Sequence, residues 1–376
     1  MSANNAKRKE FLMRISDRKL LILKAIVDDY IMTGTPVGSR TLAKREELNF
    51  SPATIRNEMA DLEEEGYLEQ PHTSAGRRPS DKAYRLYVDT LMKVSALNPD
   101  EIRFVHKYLE QKVDQVNNVV EATAHVLSEM TNLTSLVLVP QFEKIELKRI
   151  QIVKMSSNKA LVVLIFNTGA VKDVLINIPK EIDDAYLEGI SSWLTALVTN
   201  KRLDEAVMQV RCSATGNLAV HREFAENLLD AVLGNLHKQT GKEIVLGGAK
   251  NILNYPEYQD IDQAKKFLTL LETKDTLYDV LADGSDMEFT IRIGKENSIP
   301  ELRNMSVITA TYRISNEKMG TFGVIGPTRM NYARILSVLK QMSNSMNEIF
   351  SHTLSLEGNN YSYNHRSRND EKDEKR

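Results

Sequence analysis

The sequence predicts an α+β protein of more than one domain: an amino-terminal group of short helices with a hairpin, then an antiparallel sheet interrupted by a mostly helical block. Three observations carry this. The chain has 376 residues, more than one ordinary core organises. Apolar residues recur at helical spacing up to about Leu91 and turn to strand-like runs after Thr134, with Ser95-Ala96-Leu97-Asn98-Pro99 breaking the chain between them. Strand-like runs return after residue 288, beyond a block that reads as helix.

The first helix follows Ser16, a suitable N-cap, and carries Leu20, Leu23, Ile26, Val27, Tyr30 and Ile31 on one side. Gly34-Thr35-Pro36 ends it. A second helix is expected from about Ser39 to Glu47, its apolar stripe limited to Leu42 and Ala43. A third begins at Ser51-Pro52, N-cap serine and first-turn proline, and runs to Gly66. Ile55, Met59 and Leu62 share its inner face, which turns Ala53, Asn57, Ala60 and Arg56 outward. Small residues flanked by Asn and Arg suit a recognition helix in a major groove. Taken alone, the pattern equally fits a structural three-helix cap.

Tyr67-Leu68-Glu69-Gln70 then reads as a short strand, and Pro71 to Pro79 as a turn-rich loop with paired arginines, which together make a wing. Arg77 and Arg78, with Lys82 and Arg85 beyond them, are placed to meet phosphate or a minor groove, and Arg40, Lys44 and Arg45 add charge on the second helix. The acidic run Glu63-Glu64-Glu65 confines any groove contact to the first half of the third helix. The DNA-contacting set expected from this winged helix-turn-helix is Arg40, Thr41, Lys44, Ser51, Ala53, Thr54, Arg56, Asn57, His72, Thr73, Arg77 and Arg78.

Ile26-Val27-Asp28-Asp29-Tyr30, Thr35-Pro36-Val37-Gly38-Ser39-Arg40-Thr41-Leu42-Ala43, the stretch Ser51 to Glu63 and the stretch Gly66 to Arg77 resemble the HrcA family of bacterial heat-inducible repressors. The likeness is dense over residues 16 to 92 and looser beyond. It implies a transcriptional repressor of chaperone genes that binds an inverted-repeat operator as a homodimer, leaves it on heat stress and depends on the chaperonin to stay active. It also implies a GAF-like sheet domain with an inserted dimerisation domain. The expected divisions are 1–92 for the DNA-binding head, 99–169 and 283–356 for the GAF-like domain, 170–282 for the insertion, and 357–376 for a disordered tail. One position departs from the family: a hydrophobic residue usually separates the wing arginine from its proline, and Arg78 stands there, which predicts a more basic wing tip.

In the remainder, a helical stretch from Pro99 to Met130 precedes runs 135–139, 146–153 and 160–166, expected in one sheet partly covered on both faces. A strand from Val171 to Ile178 follows, then helices over 181–199, 219–238 and 261–279. Strands return at 288–293, 306–312 and 321–325. The closing helix from Asn331 carries Ile335, Val338, Leu339, Met342, Met346 and Ile349 on one stripe, for core packing or a subunit contact.

Composition excludes several classes. With 42% hydrophobic and 27% charged residues, the chain is globular in type. No apolar run approaches the roughly 20 residues of a membrane span, and the polar start lacks a secretory signal, so a cytoplasmic protein is expected. The single cysteine, Cys212, rules out a disulfide framework and is expected to be buried. The seven histidines show no metal-ligand spacing, and Gly320, Gly323 and Gly326 lack the Lys-Ser of a nucleotide loop and read as a tightly packed edge strand. No catalytic residue, cofactor or metal is expected. A net charge of −2 gives no general affinity for nucleic acid, so any positive charge must act locally. Besides a repressor, two readings stay open: a small-molecule sensor using the sheet domain, and a winged-helix protein-interaction module.

Overall fold

A computed structural model describes residues 15–72, 75–110, 116–139, 146–167, 171–212, 219–240, 243–282, 287–314 and 317–349. The expected tail, 357–376, and Thr73 lie outside the described residues.

The head contains α1 (Asp17–Thr33), the single turn α2 (Ser39–Leu42) and α3 (Pro52–Glu64), then a hairpin of β1 (Leu68–Glu69) and β2 (Arg78–Pro79). Ser16 caps α1 and Ser51 caps α3, each accepting a backbone N–H, and Gly34 closes α1 at φ +66°. The second helix stops well short of Glu47, since only Leu42 anchors it in the core. Next, α4 (Asp81–Leu86) continues as a π turn to Leu91, and the Tyr87 hydroxyl donates to Asp28 of α1 at 2.7 Å.

The body is a five-stranded antiparallel sheet flanked by helices. Its order is β8 (Ile244–Gly247), β3 (Thr134–Leu138), β11 (Glu317–Pro327), β10 (Met305–Ile314), β9 (Phe289–Ile293). Side chains alternate across it, so β3, β10 and β11 each feed two cores. Val137, Ile308, Ala310, Tyr312, Phe322 and Val324 share a core with α5 (Pro99–Glu110), α6 (Val116–Thr131) and the last helix, α12 (332–349). Leu136, Leu138, Val307 and Ile325 face α10 (Ile261–Glu272) and α11 (Lys274–Ala282) through Phe267, Leu270, Leu277 and Val280. The expected stripe of α12, from Ile335 to Ile349, is buried in the first core.

Strand partnership corrects the sequence reading. β4 (Glu146–Ser156) and β5 (Lys159–Phe166) do not join β3; they pair with β6 (Val171–Asn177) and the short β7 (Lys201–Arg202) in a separate sheet ordered β6-β5-β4-β7. α7 (Asp184–Val198), α8 (Leu203–Cys212) and α9 (Ala219–Thr240) accompany that sheet. The helices over 261–279, by contrast, pack on the five-stranded sheet. The five-stranded sheet is therefore interrupted between β3 and β8, and the expected division at 169/170 falls between β5 and β6, two strands of the second sheet. Hydrophobic runs specify strands but not their partners, and β8, four residues long, is too short to register as a period. The run 160–166 is not covered on both faces either: Leu161, Val163 and Ile165 are only half-buried.

On α7, Ser191, Thr195 and Thr199 stand four residues apart and close the edge of β4 that β5 leaves open. Ser191 Oγ accepts from Ile152 N–H at 2.9 Å, and Thr195 Oγ1 both accepts from Ile150 N–H and donates to its carbonyl. Thr199, the C-cap, donates from Oγ1 chiefly to the Thr195 carbonyl at 2.6 Å and lies 3.3 Å from the Lys148 carbonyl. A helix thereby supplies the ladder bonds a neighbouring strand would give.

Two further expectations change. Cys212 is exposed at the end of α8, where no core reaches it. The glycine-containing strand is central rather than at an edge, because β3 and β10 flank it. A Cβ on Gly323 would stand 2.2 Å from the Ile308 carbonyl oxygen, and one on Gly320 2.5 Å from the Tyr312 hydroxyl; the glycines let β10 close onto β11. Gly323→Ala is expected to destabilise the protein by about 1–3 kcal/mol through overpacking, read as a lower denaturation midpoint in urea.

Candidate nucleic-acid interface

Four ion pairs made by three cations hold α3 and its C-cap against their neighbours, each using an acid from the inner or trailing side. Glu58 is buried and pairs with Arg18 of α1, whose guanidinium also lies over Phe50. Lys19 reaches Glu65 at 2.7 Å and Asp61 at 3.2 Å; the hydrogen bond that it donates to Glu65 raises the Lys19 pKa, helped by Asp61. Glu63 takes Arg77 at 2.8 Å. The acidic run that seemed only to repel phosphate thus fastens the helix to α1 and to the hairpin. Pairing of this kind on a partly wet surface adds little stability singly, but it fixes the helix about its own axis.

The fixed orientation leaves Ala53, Arg56, Asn57 and Ala60 exposed, while Ile55, Met59 and Leu62 are buried. Thr54 is half-buried, and Ser51, though exposed, spends its hydroxyl accepting from Thr54 N–H at 3.1 Å. Arg40, Thr41 and Lys44 are exposed just before α3, and His72 is exposed in the hairpin loop. Among the described residues Arg40, Lys44 and Arg56 form no ion pair.

The basic residues of the hairpin are placed differently from the sequence expectation. Arg77 forms a backbone bridge with Val37, donating and accepting at 2.9 and 2.8 Å, and Gly76 permits it, since a Cβ there would lie 2.4 Å from the Val37 carbonyl. Its side chain turns back to Glu63. Arg78 sits opposite Glu69 in the β1–β2 register, pairs with it at 2.9 Å and neighbours the Tyr30 hydroxyl, so it lies at the hairpin base and does not make the tip more basic. Lys82 donates to the Glu65 carbonyl at 2.7 Å and covers the Tyr67 ring. Arg45 pairs with Asp29 and Glu47, and Arg85 with Glu296 of the body. Apart from Arg45–Glu47, two residues apart, none of these contacts is visible as a period, because each joins residues distant in sequence or on different elements. Glu58, the one buried acid of α3, could have been noticed: it falls on the same helical face as Ile55 and Leu62.

Arg18→Ala is expected to cost about 1–3 kcal/mol, because it strands the buried Glu58 carboxylate beside a half-exposed partner, and Ser51→Ala about 1 kcal/mol through the lost cap. Urea unfolding of each variant checks both.

Comparison with known proteins bears on the whole chain. Residues 117–336 match the family described as the HrcA protein C-terminal domain. The heat-inducible transcription repressor HrcA of Pelotomaculum thermopropionicum is 41% identical over 338 residues, covering 90% of this chain and 97% of that protein. That of Brevibacillus brevis is 40% identical over 335 residues, covering 89% and 98%. A crystal structure described as a hypothetical protein has the same fold, with a TM-score of 0.62 at 22% identity over 90% of this chain and 99% of that one. With identity at this level running through head and body alike, the chain belongs to the HrcA family of heat-inducible transcription repressors.

Proposed function

We propose that this protein represses heat-shock genes by reading an inverted-repeat operator as a homodimer and releasing it on heat stress. In this reading residues 15–92 form a winged helix-turn-helix, the five-stranded sheet and its helices form a GAF-like body, and the segment 146–240 is the inserted dimerisation domain. It is a cytoplasmic binding protein, not an enzyme, and its dependence on the chaperonin rests on the family resemblance. Among the described residues no helix is long and apolar enough to cross a membrane.

The observation that carries the reading is the exposed face of α3, where Ala53 and Ala60 allow close approach beside Arg56 and Asn57, next to the unpaired Arg40 and Lys44. Arg56 and Asn57 read bases, since both offer bidentate hydrogen bonding. Arg40 and Lys44 meet phosphates, with Thr41, Ser51, Thr54 and His72 along the same border. Arg77 and Arg78 contribute chiefly by holding the hairpin, their charge being shared with Glu63 and Glu69. A head with few unpaired cations among its described residues, in a chain of net charge −2, binds weakly alone. Two heads joined in one dimer raise the affinity without a new contact.

Binding to duplexes recovered by in vitro selection tests this. Arg56→Ala and Asn57→Ala are each expected to cost about 1–3 kcal/mol and to relax sequence preference, whereas Lys44→Ala should weaken all sequences alike and lower the salt slope by about 1. Wild-type affinity in both Arg56→Ala and Asn57→Ala would exclude α3 as the reading helix. Arg77→Ala is expected to lower thermal stability as well as binding, which a melting curve separates from a pure phosphate contact.

A further inference from the structure

The head is fastened to the body at three separate places. At the first, Arg329, in the link between β11 and α12, is only 9% exposed and grips both carboxylate oxygens of Glu257, in the single turn Pro256–Tyr258. Its guanidinium lies over the Tyr255 ring at 5.2 Å and donates from Nη1 to the Ile31 carbonyl, 3.4 Å away. Ile31 is in the last turn of α1, where carbonyls lack helical partners and a cation is favoured. Gly34 has two reasons to be glycine: its φ of +66°, and a guanidinium carbon 3.0 Å from where its Cβ would stand.

At the second place Arg85 of α4 holds Glu296 through two nitrogens and donates to the Ile291 carbonyl at 2.7 Å. Asp81 accepts from Lys295 N–H at 3.0 Å, and Gly294, at φ +54°, makes room for it; a Cβ there would lie 2.1 Å from Asp81 Oδ2. At the third, the Tyr84 ring of α4 and the Tyr332 ring of α12 meet at 5.9 Å, and Ser337 of α12 holds the link by donating to the Ser95 carbonyl at 2.5 Å. Forked guanidinium–carboxylate pairs constrain direction as well as distance. The Arg85–Glu296 fork joins head to body directly, and the Arg329–Glu257 fork, within the body, aims the guanidinium at α1. With the ring contact as a third attachment they define an orientation, which the link 92–98, outside any helix or strand, could not do.

We propose that Arg329 is a positioning residue for operator reading: clamped by Glu257, it sets the angle of the head on the body and hence the separation of the two α3 helices in a dimer. The inference rests on the dimeric DNA-reading function proposed above. Half-sites of a two-fold reader must fall on one face of the duplex, one helical turn or a multiple apart, so an unclamped head loses the advantage of its tethered partner.

The test uses the full chain, with Glu257→Gln, which removes one charge at a half-exposed site, and Arg329→Lys, which keeps the charge and loses the fork. Circular dichroism and melting establish that each is folded. Fluorescence anisotropy then measures binding to a selected inverted repeat, to the same repeat with about half a turn (~5 bp) inserted between its halves, and to a single half-site. Wild type is expected to weaken by about tenfold or more on the insertion. The variants are expected to lose about tenfold on the optimal repeat, to differ by less than about threefold between spacings, and to bind the single half-site as wild type does. Wild-type spacing dependence in both variants would overturn the assignment. So would a parallel loss on the half-site, which marks a structural role, or tighter binding at every spacing, which would mean that the clamp holds the head away from DNA. A wild-type protein that binds no duplex would overturn the repressor reading itself, and one that binds but ignores spacing would overturn the positioning role alone.

Discussion

Closure of the five-stranded sheet is the constraint on which the rest of the molecule depends. Its central strand, β11, needs two partners, and they come from opposite ends of the body: β10, just before it, and β3, nearly two hundred residues earlier in the chain. Pairing Phe322 to Ile325 with Val137 to Thr134 folds everything between β3 and β8 outward as a separate sheet with its own helices. The glycines of β11 permit this, since side chains there would occupy space held by the Ile308 carbonyl and the Tyr312 ring. Burial on both faces follows from the alternation along β3, β10 and β11, each residue contributing to one core or the other. Full burial of a side chain such as Phe267 or Phe322 is worth about 1.5–3 kcal/mol, so the two layers, and not the surface ion pairs, carry the stability.

The outward sheet meets the same requirement differently. β4 has a full partner on one side and only β7, two residues, on the other. Ser191, Thr195 and Thr199 take over the open edge, which both satisfies its backbone and denies it to a foreign strand. Polar residues at four-residue spacing on an otherwise apolar helix thus have a definite structural role.

Within the head, charge is used mostly for geometry. Glu58, Asp61, Glu63 and Glu65 draw Arg18, Lys19 and Arg77 inward, and the hairpin arginines are held at its base. What remains exposed and unpaired among the described residues is a small set beside the first turns of α3. Its few charges suit a reader whose affinity comes from two heads more than from one. The same economy appears at the junction with the body, where Arg85 and Arg329 face carboxylates and backbone carbonyls rather than solvent. Sheet closure reaches the head through this junction: Arg329 follows β11 directly, so the strand that completes the body also delivers the residue that grips α1.

The sequence by itself determined the local elements whose signals are local. Ser16 and Ser51 as caps, Gly34 as a helix end, the buried face of α3 and the stripe of α12 all follow from spacing and cap chemistry, and the structure has them where the pattern places them. The family could be read from long motif stretches in the head. Tertiary structure alone decided which strands share a sheet, because a run such as 160–166 is equally apolar whether β3 or β6 lies beside it. It alone decided the fate of the arginines as well. Arg77, Arg78 and Arg85 look alike in a basic stretch, and only the positions of Glu63, Glu69 and Glu296, brought up by folding, give them acid partners, half-buried for Arg77 and Arg85 and at the surface for Arg78. Periodicity reports a residue's side of its own element; partnership between elements depends on distances that only the folded chain defines.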